Sequence, residues 1–297
     1  MQGLILINKP KNISSFGVVH QIKKLTGEKR VGHTGTLDPM ATGVLPVLIG
    51  RATVLSSYLL DADKSYLAHI RLGMTTDTFD ITGQVTSNRP VNLAKGELDY
   101  VLESFLGEQK QTPPMFSALK KEGKKLYELA RQGYEVDREP RNIRIYAIER
   151  VGEVVNNGFW LRVFCSKGTY IRTLCNDIGA KLGCGAVLDS LCREQTHGFN
   201  IHHCVDLGEL NKDNIDQYIL PEETAVYSLE QFGVTEKQAI RFSNGGELDV
   251  NRLNISDPVP NQQFRVKYEN LLLGVGRYDV EKKAIVIACL VNQYTGK

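Results

Sequence analysis

KSYLAHIRLG, residues 64–73, alternates apolar and polar side chains with the two-residue period of a half-buried strand. NGFWLRVFCSKG, residues 157–168, is a second strand of β-rich composition, ended by Gly168. It runs straight into a helix, because Ile171, Leu174, Cys175, Ile178 and Leu182 recur at helical spacing, with Tyr170 and Arg172 in the first turn. Toward the N-terminus, GLILINKP (3–10) reads as a strand stopped by Pro10. The following SSFGVVHQIKKLTG (14–27) places Phe16, Val19, Ile22 and Leu25 on a helix that Ser14 or Ser15 can cap and Gly27 can end. DYVLESFLG (99–107) adds a short helix. Strands and helices mix without a regular βαβ repeat, which predicts an α+β fold.

Length and composition allow one large unit plus a small one, with 42% hydrophobic residues to fill a core. Lys and Arg total 36 against 34 Asp and Glu, so only local clustering can speak for a polyanionic partner. The opening apolar run has no preceding basic segment, and no stretch reaches the roughly 18 to 20 apolar residues of a spanning helix. The expectation is a cytoplasmic protein that does not engage membranes. Cys165, Cys175, Cys184, Cys192, Cys204 and Cys289 include no CxxC pair and read as reduced thiols. Cys184, Cys192, His197, His202, His203 and Cys204 lie close in sequence, yet their spacings match no paired-ligand zinc pattern, so no metal is expected.

Residues 109–142 are rich in Lys and Arg, with Met115, Phe116, Tyr127 and Tyr134 interleaved. Such an excursion is either a solvated helical insertion or a segment that grips nucleic acid. Beyond about residue 225, the segments 234–250 and 262–291 read as short strands separated by NGG, EN and EKK turns, a small β-rich unit.

GHTGTLDPMATGVLPVLIG, residues 32–50, holds a single carboxylate, Asp38, among threonines, glycines and apolar residues. Asp-Pro is also how a helix begins, so Asp38 is either a cap or turn residue or an isolated catalytic acid. Arg172, at a helix start, can meet a phosphate or a carboxylate, and pairing would hold a catalytic Asp ionised; an ordinary ion pair is the alternative. Tyr66, flanked by Lys64 and His69, is either a core residue or a platform on which a base stacks. GxGxxG, GxxxxGK[ST], GxSxG and HExxH are all absent, so dinucleotide, P-loop, serine-hydrolase and zincin chemistry lack their signatures.

Four blocks in order, GHTGTLDPMATGVLPV (32–47), KSYLAHIRLGMTTDTFDITG (64–83), PPMFSALKKEGKKLYELARQG (113–133) and SKGTYIRTLCNDIGAKLG (166–183), closely resemble the bacterial tRNA pseudouridine-55 synthases, the TruB family. The resemblance covers nearly all of residues 3–200. It implies a mixed, largely antiparallel central sheet with flanking helices over residues 1–225, a tRNA-gripping insertion at about 109–142, and a PUA-like RNA-binding unit over 232–297. It further implies isomerisation of a T-loop uridine in tRNA without cofactor or metal; a monomer gripping one tRNA is the simplest expectation. In that family the Asp of GTLDP is catalytic, the Tyr of the KSY block stacks on the extruded base, and the Arg of GTYIR pairs with the aspartate. Asp38, Tyr66 and Arg172 inherit these roles. Tyr170 lines the pocket and His33 enters the RNA loop; Lys64, Leu191, Lys120, Lys124 and Lys125 complete the substrate-binding candidates. A non-catalytic tRNA-binding chaperone is the competing reading, against which Asp38, Tyr66, Tyr170 and Arg172 stand together.

Overall fold

The structure is a computed structural model that describes every residue except Ala118, Glu122 and Lys297, and every remaining side chain except that of Lys120. Strand β1 (Gly3–Lys9) ends at Pro10, which has no donor to continue a ladder. Helix α1 (Ser15–Thr26) begins under Ser14, whose hydroxyl accepts from the Gly17 N–H at 3.0 Å, and stops at Gly27 in the left-handed conformation (φ 71°). Its buried stripe is Val18, Val19 and Ile22, whereas Phe16 is 71% exposed, contrary to the expected Phe16 face. The reason is Ser15: its hydroxyl donates to the Leu37 carbonyl at 3.0 Å and accepts from the Leu37 N–H at 2.9 Å. That inward bond turns Phe16 toward water.

Next come β2 (Val31–His33), β3 (Thr42–Ile49), α2 (Ser56–Leu60), β4 (Lys64–Leu72), a ribbon of β5 (Met74–Thr76) and β6 (Val85–Asn88), α3 (Glu97–Glu103) and β7 (Gly107–Gln111). The Lys-rich excursion contains β8 (Lys120–Lys121), β9 (Lys124–Lys125) and α4 (Leu126–Arg131). The chain then returns through β10 (Arg141–Val155), β11 (Gly158–Cys165), α5 (Ile171–Lys181), β12 (Ala186–Thr196), β13 (Phe199–Asn200) and β14 (Val205–Asp206).

These strands build a ten-stranded sheet in the order β14-β1-β3-β12-β4-β11-β10-β7, with β2 added to β3 and β13 to β12. Only β1 with β14 and β3 with β12 run parallel; the other pairs are antiparallel. The fold is therefore α+β with a mixed, largely antiparallel sheet. Strand β4 buries Tyr66, Ala68, Ile70 and Leu72 and turns Ser65, Leu67, His69 and Arg71 outward, the alternation its sequence predicts. Helix α5 covers the inner face with Ile171, Leu174, Cys175 and Ile178, and α1 covers β1 and β3 through Val18, Val19 and Ile22.

The remaining chain forms a second, five-stranded sheet from β15 (Glu230–Gly233), β16 (Leu248–Asp249), β17 (Gln263–Tyr268), β18 (Leu271–Asp279) and β19 (Ala284–Leu290), around Phe232, Phe242, Phe264, Leu273 and Ile285. Leu272, Val275 and Val291 of this unit share an apolar cluster with Leu4, Leu6 and Leu48 of the large sheet. Helix α6 (Glu236–Ser243) lies within a segment whose sequence suggests short strands; Thr235 and Gln238 form a reciprocal capping box that starts it. Among the described residues no helix is long and apolar enough to cross a membrane.

A glycine allows the close approach of β3 to β12. Gly43 has φ 101°, and a Cβ there would lie 2.2 Å from the Arg193 carbonyl oxygen. Gly43→Ala is expected to destabilise the protein by about 2–4 kcal/mol and lower its melting temperature by about 5 °C or more. Thermal unfolding indistinguishable from the parent would contradict this packing.

Candidate active site

Asp38 begins a turn. The Ala41 N–H donates to its carbonyl at 3.0 Å and no helix follows, so the cap interpretation of Asp38-Pro39 fails. Residues 34–41 lack regular structure, and their backbone groups are met by side chains from three directions. Ser15 holds Leu37 through its double bond. Lys9, fully buried, donates to the carbonyls of Pro10, Ile13 and Pro39 at 2.9, 2.7 and 3.2 Å. Burial lowers the Lys9 ammonium to about 8, against the opposing pull of Asp38. Arg193, 1% exposed, donates to Gly35 O and Val44 O at 2.8 Å each, from beneath the loop.

From across the sheet, Arg172 reaches Asp38. Its Nε lies 2.9 Å from Oδ2 and its Nη2 donates to Oδ1 at 3.3 Å, two bonds that together fix the plane of the carboxylate. Nη2 also donates to Phe116 O at 2.7 Å, and Nη1 to Thr78 O at 3.2 Å while lying 3.6 Å from Asp80 Oδ2. The side chains of Arg172 and Asp80 are 5% and 7% exposed, but that of Asp38 is 37% exposed. The guanidinium is thus sealed inside and its Asp38 partner opens outward. Asp80 is itself held: Oδ1 accepts from Thr78 Oγ1 at 2.9 Å and from Thr82 N–H and Oγ1 at 2.9 and 2.5 Å.

Desolvation in this crowded setting raises the Asp38 carboxyl above its ordinary value; Arg172 opposes the rise and the Asp80 charge adds to it.

The other expected residues gather around this pair to different degrees. Tyr66 is 7% exposed and shares a buried cluster with Leu37, Met40 and Leu191. Its register partner on β12 is Arg193, and burial raises its phenol, with Arg193 opposing. Tyr170 caps α5, its N–H donating to Gln111 Oε1 at 2.7 Å and its carbonyl accepting from Gln111 Nε2 at 3.0 Å. His33 ends β2 with Nδ1 buried and without a partner among the described residues, and burial lowers its imidazole, reinforced by Arg193. Lys64 is 8% exposed and its ammonium donates to Ala62 O at 2.5 Å, bracing the start of β4. Lys124 and Lys125 lie on the β8–β9 hairpin; the side chain of Lys120 lies outside the described residues. Among the described residues no group of three His, Cys, Asp or Glu side chains is arranged to hold a metal.

Sequence reasoning missed Asp80, Lys9, Gln111 and Arg193. Asp80 carries one signal, its place between Thr78 and Thr82 in DTFDITG, but Asp77 beside it looks equivalent until the chain folds.

Two substitutions should move the Asp38 titration in opposite directions. Arg172→Met removes a lowering influence and shifts its midpoint upward; Asp80→Asn removes a repulsion and shifts it downward. Carboxyl ¹³C NMR of Asp38 reads both. A midpoint in Asp80→Asn at or above that of the parent refutes this electrostatic arrangement.

The comparisons with known proteins agree along almost the whole chain. Residues 23–171 match the model of the TruB family pseudouridylate synthase (N terminal domain), and residues 172–227 that of the tRNA pseudouridylate synthase B C-terminal domain. The tRNA pseudouridine synthase B of Clostridium kluyveri is 43% identical over 278 residues, 93% of this chain and 95% of that protein. That of Clostridium tetani is 42% identical over 287 residues, 96% and 99% of the two chains. A crystal structure of a Cbf5-Nop10-Gar1 complex contains a chain that matches with a TM-score of 0.75 at 26% identity, over 98% of this chain and 85% of that one. An extended family match and 43% identity sustained over 93% of the chain leave one conclusion: the chain belongs to the TruB family of tRNA pseudouridine synthases.

Proposed function

We propose that the protein converts the T-loop uridine of tRNA to pseudouridine with Asp38 as the catalyst, working as a cytoplasmic monomer. The observation that carries this reading is the pairing of a sealed Arg172 with a carboxylate that stays open to an incoming base. In the reaction the N1–C1′ bond breaks, the uracil turns over, and a C5–C1′ bond forms. The C5 hydrogen leaves as a proton and N1 takes one up, so no oxidant or group donor enters the balance. Three uses of the Asp38 carboxylate satisfy it: addition to the ring, attack on the sugar, or removal of a sugar proton to give a glycal.

The base must leave its stack to reach Asp38. Stacking on Tyr66 offsets part of that cost, on the order of 1–3 kcal/mol. Tyr170 and Leu191 line the pocket, and His33 enters the opened loop. Arg172 orients the carboxylate and favours its ionised form, which the site otherwise disfavours. The Lys-rich excursion grips the T-arm. It leaves the sheet after Gln111 and rejoins at Arg141, which pair in register, so it projects from a rigid root. The unit over 232–297 adds PUA-like contact with RNA.

Release of tritium from C5-labelled uridine in an unmodified tRNA transcript tests the reading. The parent should release it; Asp38→Asn should lower the rate by several orders of magnitude, and a transcript altered only at the T-loop uridine should release none. Tight tRNA binding without release would move the protein to the chaperone reading. Replacing Lys120, Lys121, Lys124 and Lys125 with alanine should weaken tRNA binding and flatten its salt dependence, by up to about 0.9 in log–log slope for each phosphate that the variant no longer neutralises. An unchanged slope would remove the hairpin from the RNA interface.

A further inference from the structure

The edge strand β2 leads from His33 to a feature that the reaction leaves unused. An open surface concavity of about 640 Å³ is lined by Gly27, Glu28, Lys29, Arg30, Gly50 and Arg51. Lys29, Arg30 and Arg51 are exposed, and among the described residues none of the three has a carboxylate partner. The Met1 ammonium holds Glu28 at 2.7 Å; even set against one of the three cations, Glu28 leaves an excess of positive charge. Residues 17–51 carry five Lys and Arg against Glu28 and Asp38, in a chain whose net charge is only +2, so the charge here is concentrated.

The backbone draws these cations together and aligns them with the site. The Gly50 N–H donates to Arg30 O at 2.8 Å, clasping the segment before β2 against the turn after β3. Strand β2 pairs only with β3, from Val31 opposite Ile49 to His33 opposite Val47, and its other edge is free among the described residues. At roughly 3.3 Å per residue, Arg30 and His33 are about 10 Å apart along this edge. Gly32, between them, has open space where a side chain would stand, so nothing blocks a ligand that follows the strand.

We propose that Lys29, Arg30 and Arg51 bind phosphates of the RNA backbone flanking the extruded uridine, so that the substrate runs along the β2 edge from His33 to this concavity. The inference rests on the RNA substrate proposed above. An open surface with three spaced, solvated cations suits successive phosphates of a polymer, whose binding releases counterions, better than a small anion, which needs an enclosing site. These residues touch the backbone and leave base selection and chemistry to the site around Asp38.

The test compares the parent, a Lys29→Ala/Arg30→Ala/Arg51→Ala variant, and a charge-preserving Lys29→Arg/Arg30→Lys/Arg51→Lys variant, using unmodified tRNA over a series of KCl concentrations. The alanine variant should bind at least about tenfold more weakly, with a log–log salt slope reduced by roughly 0.7–0.9 for each phosphate left without its cation. The charge-preserving variant should retain the affinity and slope of the parent, and single-turnover tritium release at saturating tRNA should be unchanged in both. Parental affinity and slope in the alanine variant overturn the proposal. So does an equal loss in both variants, which would assign the effect to shape instead of charge. A parent that binds tRNA but releases no tritium defeats the proposed reaction and leaves this binding comparison readable.

Discussion

A buried guanidinium cannot shed its charge, so everything around Arg172 has to answer it. The answer comes from separate stretches of chain: carboxylates of Asp38 and Asp80, and carbonyls of Thr78 and Phe116. Removing one partner from such a cluster leaves charge uncompensated in a sealed place, which costs on the order of 3–5 kcal/mol. Asp80 is fastened by Thr78 and Thr82, and the two carbonyls belong to the backbone. Asp38 is the partner left facing outward, and its orientation is inherited from the arginine.

That arrangement explains the scaffolding beneath the loop. Residues 34–41 contribute no ladder of their own, so Lys9, Ser15 and Arg193 satisfy and anchor their carbonyls and amides. Arg193 links the loop to the sheet, since it supports Gly35 and stands opposite Tyr66 in the β4–β12 register. The glycines at 35 and 43 are needed for the same reason: both have positive φ and both lie against Arg193.

Arg172 also ties the site to the Lys-rich excursion. Its Nη2 bonds Asp38 and Phe116 O at once, and Gln111, at the root of the excursion, holds the residue that caps α5. Within the excursion, Lys125 and Arg131 lie 5.4 and 5.5 Å from the centre of the Tyr127 ring, directing part of their charge to that aromatic. A segment that composition marks only as charged is therefore wired to the carboxylate at its base.

Periodicity by itself determined β4 and α5, because strand alternation and helical spacing are written in consecutive residues and report burial directly, and β-rich composition marked β11. The order of the motif blocks determined the family, and with it Asp38, Tyr66 and Arg172 as the residues to watch. What only the tertiary structure decided is which charges meet. Asp80 and Asp77 are both threonine-flanked acids three residues apart, Lys9 and Arg193 look like any surface cation, and Phe16 looks like core until Ser15 bonds inward. Their roles depend on partners far away in sequence, and on the loss of water that makes an unpaired polar group expensive. Neither has a period that a linear sequence can display.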